Sequence, residues 1–137
     1  MADYLDFIRL ERPSSPNTYL IAPDGLCQSA SPDAAPPVFE KSERGLFSTL
    51  AELIAQERRW IDVQADPEQY RFKFVAKTPL LGFKDDVDIM ILPANPEAND
   101  GESGTTLAIY SRSRVGHSDL GANRKRVTAL LEKLTTK

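Results

Sequence analysis

The sequence predicts an α+β domain in which a mostly antiparallel sheet of about four strands is covered by two helices. Alternating apolar and polar residues mark strands in the middle of the chain, and apolar residues at spacings of three and four mark a helix on each side of them. Strands that follow one another without intervening helices favour an antiparallel sheet over a parallel one. With 137 residues, we expect one domain, 1–137, with one core.

An extended arm of residues 1–41 precedes the first predicted helix. Six of the ten prolines lie in it, and because proline donates no backbone hydrogen bond, we expect an extended wrap with turns rather than a helix or a central strand. The arm also carries apolar residues that can be buried, namely Leu5, Phe7, Ile8, Leu10, Tyr19, Leu20, Ile21, Val38 and Phe39. We therefore expect it to pack on the body, residues 42–137.

The body begins with a predicted helix at residues 43–57, for which Ser42 is placed as the N-cap. The segments RRWIDVQA and QYRFKFVAK, joined by DPE, then predict a β-hairpin. In its second arm Phe72 and Phe74 lie on one face and Arg71 and Lys73 on the other, so one face of the sheet is expected to be apolar and the other wet.

The remaining pattern predicts two more strands and a second helix. DVDIMILP is the third strand and TTLAIYSRS the fourth, and a polar connection rich in Asn, Gly and acidic residues joins them. The final helix is expected to begin at Ser118. Its apolar stripe consists of Leu120, Val127, Leu130, Leu131 and Leu134.

Charge is distributed unevenly along the chain. Residues 111–137 carry seven Lys/Arg and two acids, a net charge of +5, whereas the remainder carries −8. This asymmetry favours an anionic ligand or an acidic protein partner at the C-terminal segment, or internal neutralisation of the acidic body. Nucleic acid is not favoured, because the chain is acidic overall and carries no nucleic-acid-binding motif.

Two further observations limit the classes of protein. Cys27 is the only cysteine, which excludes an internal disulfide and a multi-thiolate metal site, and no cofactor is indicated. No run of about 20 apolar residues predicts a transmembrane helix, and the N-terminus does not have the pattern of a secretory signal. A cytoplasmic protein of unknown oligomeric state is the expectation.

Four motifs in the chain resemble one known family. SSPNTYLIAP, APPVFE, LLGFKDDVDIMI and SRSRVGHSDLGANRKRV together look like the family labelled domain of unknown function 1499. The resemblance implies kinship with small bacterial and plant proteins, some with membrane or targeting segments, and it implies no established activity. The family pattern often has tyrosine after the glycine of the last motif, where this chain has His117.

The last motif offers a catalytic and a structural interpretation. His117 has the one side-chain type that ordinarily titrates near neutrality, so His117 with Asp119, or with Asp85 or Asp86, is the basis of a hydrolase-like hypothesis. Residues adjacent on a turn normally point in different directions, however. The structural interpretation, which we favour, makes His117 a turn residue and gives Ser118 or Asp119 the role of capping the last helix.

The same motif predicts an anion site at the start of the last helix. Backbone amides near Asp119 together with arginines would bind a phosphate or carboxylate, unless Asp119 already occupies those amides. Asn123 is a natural hydrogen-bonding clamp in the first turn. The candidate ligand-binding residues are Arg112, Arg114, His117, Ser118, Asp119, Asn123 and Arg124.

Asp85 and Asp86 are the other candidate site. Because successive strand residues face opposite sides, their carboxylates diverge, so an internal ion pair with Arg112, Arg114 or another arginine of residues 111–126 is favoured over a metal site. Trp60, Tyr70 and Tyr110 are core candidates that alternatively line a sheet–helix cavity for an apolar ligand or lipid. The leading hypothesis is a non-enzymatic binding or accessory module with a basic strand-to-helix corner.

Overall fold

The computed structural model describes residues 3–79, 81–95, 104–116 and 119–136. The elements within them are, in chain order, β1 (Thr18–Ile21), α1 (Glu43–Gln56), β2 (Trp60–Asp66), β3 (Arg71–Lys77), β4 (Lys84–Pro93), β5 (Thr105–Ser113) and α2 (Ala122–Thr135). The α+β class, the antiparallel sheet and the two helices are confirmed. The sheet has five strands where about four were expected.

The sheet is antiparallel throughout, in the spatial order β1-β5-β4-β3-β2. The additional strand is β1, which belongs to the arm and pairs with β5 at the edge of the sheet, with Thr18 opposite Arg112. It has only four residues and lies between Pro16 and Pro23. An edge strand this short gives almost no periodicity, and its flanking prolines favoured an irregular arm.

Helix α1 covers one face of the sheet, called the helix face below. The Ser42 hydroxyl accepts the backbone N–H of Gly45 at 3.0 Å, which is the N-cap bond that the sequence predicts. Phe47 stacks on Phe72 of β3 with ring centroids 4.4 Å apart. The buried residues of α1 are Leu46, Leu50, Leu53 and Ile54, so its predicted apolar stripe faces the core.

Helix α2 lies on the same face but begins at Ala122, four residues later than the sequence predicts. Leu120 and Gly121 have φ values of 55° and 82°, a left-handed conformation that an α-helix does not contain. The Leu120 side chain is 88% exposed, so the prediction that it belongs to the apolar stripe is wrong. The stripe that is buried consists of Val127, Leu130 and Leu134.

The other face of the sheet, called the arm face, is partly covered by the arm. A second apolar cluster lies there, formed by Phe7, Leu10, Leu20, Ala22, Ala108 and Tyr110. The expectation of a wet face is therefore wrong where the arm covers the sheet: Asp88 is completely buried, and its Oδ1 accepts the backbone N–H of Leu5 at 3.1 Å. Alternation along a strand shows that two faces differ in polarity, but it does not show what packs on each of them.

Several chain segments meet at one end of the sheet, called the corner end below. The described residues of the β3–β4 turn, residues 114–116 after β5, and the residues before β1 and β2 lie there, because neighbouring strands run antiparallel. Backbone hydrogen bonds join these segments: Lys77 N–H to Arg59 O at 2.8 Å, Arg114 N–H to Lys84 O at 3.3 Å, and Ser113 N–H to Asn17 O at 3.0 Å. The candidate site residues lie at or near this end.

Candidate functional site

Two adjacent aspartates at the start of β4 make ion pairs on opposite faces of the sheet. On the helix face, Arg126 of α2 donates to Asp85 Oδ2 at 2.8 Å. On the arm face, Arg114 donates two N–H bonds of 2.9 Å to the two oxygens of Asp86. The two carboxylates diverge, as the alternation of strand side chains requires, so they do not form a shared metal site.

The Asp85–Arg126 pair belongs to a buried polar cluster. The two side chains are 2% and 10% exposed, and Arg126 also donates to Ser111 Oγ at 3.0 Å and to Asn123 Oδ1 at 2.9 Å. The Ser111 hydroxyl in turn donates to Asn123 Oδ1 at 2.6 Å. A buried ion pair is tolerated where further hydrogen bonds satisfy its remaining donors and acceptors, and this cluster fastens β4, β5 and α2 together.

Asp119 occupies the backbone amides at the start of α2. Its Oδ1 accepts the N–H of Gly121 at 2.8 Å, and its Oδ2 accepts the backbone N–H of Asn123 at 3.1 Å and the side-chain amide of Asn123 at 2.6 Å. Burial acts to raise the pKa of Asp119, but these hydrogen bonds outweigh it and hold the pKa below its ordinary value. A carboxylate of the chain itself thus fills the position that the sequence offered to an external anion.

A second buried carboxylate, Asp88, lies under the arm. Arg112 donates to its Oδ2 at 2.9 Å, and the Arg112 guanidinium lies 5.0 Å from the centre of the Tyr110 ring. Arg71 lies nearby and donates to the backbone oxygen of Leu5. Burial lowers the pKa of Arg71, and the charge of Asp88 opposes this shift. These contacts fasten the arm to the sheet.

An open groove of about 410 Å³ lies on the arm face near the corner end. Strand β2 bulges beside it, since its register with β3 shifts between Ile61 and Gln64, and Asp62 has a φ of 53°. The described residues that line the groove are Asp62, Val63, Gln64, Lys73, Phe74, Val75, Asp86 and Arg114. None of them belongs to the arm, so the arm leaves this part of the sheet open.

Asp86 and Arg114 meet at this groove. Burial acts to raise the pKa of Asp86, but the hydrogen bonds and charge of Arg114, with the charges of Arg112 and Lys73, hold the pKa below its ordinary value. An anion that enters the groove to meet Arg114 therefore competes with Asp86.

The predicted ligand-binding residues do not converge on one site. Arg112 and Arg114 lie on the arm face, whereas Asp119 and Asn123 lie on the helix face, and Asn123 is completely buried. Arg124 is exposed on α2. His117 and Ser118 lie outside the described residues, so the hydrolase-like hypothesis stays a hypothesis.

The three large aromatic residues proposed for a sheet–helix cavity lie on different faces. Trp60 stacks on Phe74 with centroids 4.5 Å apart, and Tyr70 packs edge-on against Phe47 at 6.1 Å, both in the helix-face core. Tyr110 belongs to the arm-face cluster. These residues therefore do not line one common cavity.

The described residues contain neither a cluster of metal ligands nor a helix that could span a membrane. No group of three or more His, Cys, Asp or Glu side chains among those residues is arranged to hold a metal ion. None of the helices there has the length and apolar character needed to cross a membrane.

Sequence reasoning missed a group of exposed cations at the corner end, called the basic row below: Arg59, Lys77 and Lys84. Lys77 and Lys84 are directly opposite each other in the β3–β4 pairing. All three side chains are exposed, and none makes an ion pair with another described residue. The signal was present in the sequence, because one lysine bounds each side of the TPLLGF turn.

Exposed apolar side chains lie beside the basic row. Leu81 and Phe83 in the β3–β4 turn are 73% and 50% exposed, and Val115 in the β5–α2 connection is 61% exposed. The two segments are neighbours, because Arg114 N–H bonds to Lys84 O. The corner end therefore combines positive charge with exposed apolar groups.

Comparison with known proteins gives kinship and no activity. No curated protein and no solved structure matches the chain. A family model described as "Protein of unknown function (DUF1499)" matches residues 11–134, a range that contains all four motifs quoted above. The resemblance is confirmed, and the chain belongs to the DUF1499 family.

Proposed function

We propose that this protein is a non-enzymatic binding module whose corner end contacts an anionic ligand or partner. The observation that carries the proposal is the opposition of Lys77 and Lys84 on adjacent strands. Like charges directly opposite each other destabilise a sheet. An anion that bridges the two ammonium groups would remove this cost. The opposed lysines therefore favour an anionic partner at this position.

Two acidic side chains near the basic row support the proposal because other cations already bind them. Asp86 is bound by Arg114, and Glu57, which precedes Arg59, is bound by Lys133 at 2.8 Å. Asp86 and Glu57 therefore do not pair with the basic row, although the whole chain has a net charge of −3. A positive local potential attracts and orients anions.

The engagement of the carboxylates also favours binding over catalysis. A general base needs an accessible oxygen aimed at the proton that it removes. Asp85, Asp86 and Asp88 each accept hydrogen bonds from an arginine, and Asp119 accepts from backbone and side-chain amides. The sequence hypothesis placed the contact surface at Arg112 and Arg114, but both pair with aspartates of the chain itself. The contact surface proposed here is the basic row.

Retention on a heparin column tests the proposal with a soluble polyanion. We expect the wild-type protein to be retained at low ionic strength and to elute as salt rises, and we expect the double variant Lys77→Glu/Lys84→Glu to pass through. The matched control is Lys41→Glu/Arg44→Glu, which changes the net charge equally at the opposite end of the sheet, where Lys41 O accepts the Thr105 hydroxyl.

The control is expected to elute like the wild type, with thermal melting used to verify that both variants fold. Equal losses in the two variants would mean that retention follows net charge alone, and a wild-type protein that is not retained would contradict the proposal directly.

A further inference from the structure

We propose that the anionic partner of the corner end is the headgroup surface of an anionic lipid bilayer, an inference that rests on the proposed function. Single exposed apolar side chains are ordinary on protein surfaces. Here, however, Leu81, Phe83 and Val115 lie on two neighbouring turns, at the same end of the sheet as the basic row. Apolar side chains beside Lys and Arg are the combination that binds the boundary between headgroups and acyl chains.

Hydrogen bonds hold Gly82 and Phe83 of the β3–β4 turn to Thr78. Thr78 and Phe83 are joined by a backbone bond of 2.9 Å, and Phe83 N–H also bonds to Thr78 Oγ1 at 2.9 Å. Gly82, with a φ of 66°, donates to Thr78 O at 3.1 Å and closes the turn. Leu81 immediately precedes Gly82. Because Gly82 and Phe83 are already held by Thr78, insertion of the Phe83 side chain costs little additional conformational entropy.

Electrostatics gives the docking a direction. Each Lys or Arg close to an anionic bilayer strengthens binding by about fivefold, and the basic row supplies three such groups. The other end of the sheet carries charges of both signs, because exposed Glu40 and Glu68 lie there together with Lys41 and Arg44. The three cations of the basic row, which make no ion pair with a described residue, therefore favour an approach to a negative surface with the corner end first.

The shape of the surface favours a bilayer over an acidic protein. A stable protein interface of ordinary size buries about 1,200–2,000 Å² around a desolvated apolar centre. The exposed apolar residues at the corner end are instead three side chains on two segments, which the bond from Arg114 N–H to Lys84 O joins. Lipids rearrange around separate side chains, whereas a folded partner would need a matching cavity for each.

Vesicle co-sedimentation tests the inference with phosphatidylcholine vesicles that contain or lack roughly one-third phosphatidylserine. We expect wild-type protein to bind the phosphatidylserine vesicles only, and to be released by salt. The double variant Leu81→Ser/Phe83→Ser should bind these vesicles at least about tenfold more weakly than the wild type. It should keep its heparin retention, because the basic row is intact. The matched control is Val38→Ser, which removes a 62% exposed apolar side chain next to Phe39, whose backbone pairs with Thr105 at the opposite end.

A second readout reports insertion itself. Lipids brominated on their acyl chains should quench the tryptophan fluorescence of the Phe83→Trp variant. This quenching should exceed that of the wild type, in which Trp60 is the only tryptophan. Absence of this extra quenching on bound vesicles, or a loss on Val38→Ser equal to that on the turn variant, would overturn the bilayer inference.

The two proposals fail separately. Heparin retention that depends on Lys77 and Lys84, without vesicle binding, would overturn the bilayer inference and leave the binding module standing, with an acidic protein or soluble anion as partner. Absence of both heparin and vesicle binding would overturn both.

Discussion

Strand β4 carries two buried carboxylates, three residues apart, that serve different parts of the molecule. Asp85 lies on the helix face and pairs with Arg126, which is itself nearly buried at 10% exposure. Asp88 lies on the arm face and pairs with Arg112, which keeps 24% exposure, and it also binds the backbone of Leu5. One carboxylate joins regular elements to each other, and the other joins a segment without regular structure to the sheet.

This difference predicts different consequences when each carboxylate loses its partners. On the helix face, both charges are shielded from water, so an unpaired partner has no solvent to replace the lost bond. On the arm face, water can reach Arg112, and the arm can detach without disrupting the helix-face core. The first cluster should therefore govern global stability, and the second should govern the attachment of the arm.

Arg126→Met is expected to have the largest effect. The substitution leaves the Asp85 carboxylate buried without a compensating charge. It also removes the N–H groups that donate to Ser111 Oγ and Asn123 Oδ1. We therefore expect a loss of about 3–5 kcal/mol in the free energy of unfolding. Urea denaturation followed by circular dichroism measures it. Asp85→Leu/Arg126→Met, which removes both charges, should recover part of the loss, and a single variant as stable as the wild type would contradict the assignment of this pair as a lock.

Asp88→Asn is expected to loosen the arm more than it destabilises the core. The neutral amide weakens the bonds to Arg112 and Leu5, at a cost of about 1.5–3 kcal/mol. Limited trypsin digestion should show faster cleavage after Arg9, which lies in the arm and precedes Leu10, than in the wild type. If cleavage there is unchanged while urea stability falls as far as in Arg126→Met, the distinction between the two faces is not valid.

Asp86, the partly buried neighbour of Asp85, predicts how stability changes at acid pH. Because the folded-state pKa of Asp86 lies below its ordinary value, its contribution is fully present above the unfolded pKa of about 3.9 and is lost as pH falls through the lower folded pKa. Asp119 acts in the same direction. Stability should therefore decrease from about pH 5 downward.

The Arg114→Met variant tests how much the Asp86 ion pair contributes to the loss of stability at acid pH. Since the Arg114 and Asp86 side chains are 45% and 25% exposed, water screens the pair, and we expect a loss of about 0.5–1 kcal/mol near neutral pH. The loss should shrink at acid pH, where Asp86 is protonated in both proteins. Denaturation across the acid range measures this, and a loss that does not depend on pH would show that packing of Arg114, rather than its charge, is responsible.

Much of the fold was predictable because its elements have strong local signals. Ser42 and the apolar spacing after it predicted α1, and alternation predicted β5 at residues 105–113 as the structure has it. Two features have no such signal. Strand β1 is fixed by its pairing with β5. The late start of α2 follows from the left-handed backbone of Leu120 and Gly121, and apolar residues spaced by three and four do not indicate backbone conformation.

The candidate site was less predictable, because a count of charges does not show which of them are paired. The seven Lys/Arg after residue 110 suggested an anion site, yet Arg112, Arg114 and Arg126 bind aspartates of β4, which are distant in sequence. The exposed cations Lys77 and Lys84 lie in a segment that is not conspicuously basic. Pairing across strands decides which charges remain available to a partner.

Lys133→Met is expected to have the smallest effect, and it tests whether burial, rather than bond length, separates the clusters. Lys133 binds Glu57 at 2.8 Å, the same distance that joins Arg126 to Asp85. The Lys133 and Glu57 side chains are 53% and 34% exposed, however, so water replaces the lost bond and we expect a loss of about 0.5 kcal/mol that disappears at high salt. Urea denaturation at low and high ionic strength measures it; a loss comparable to that of Arg126→Met would mean that burial does not set the strength of these pairs.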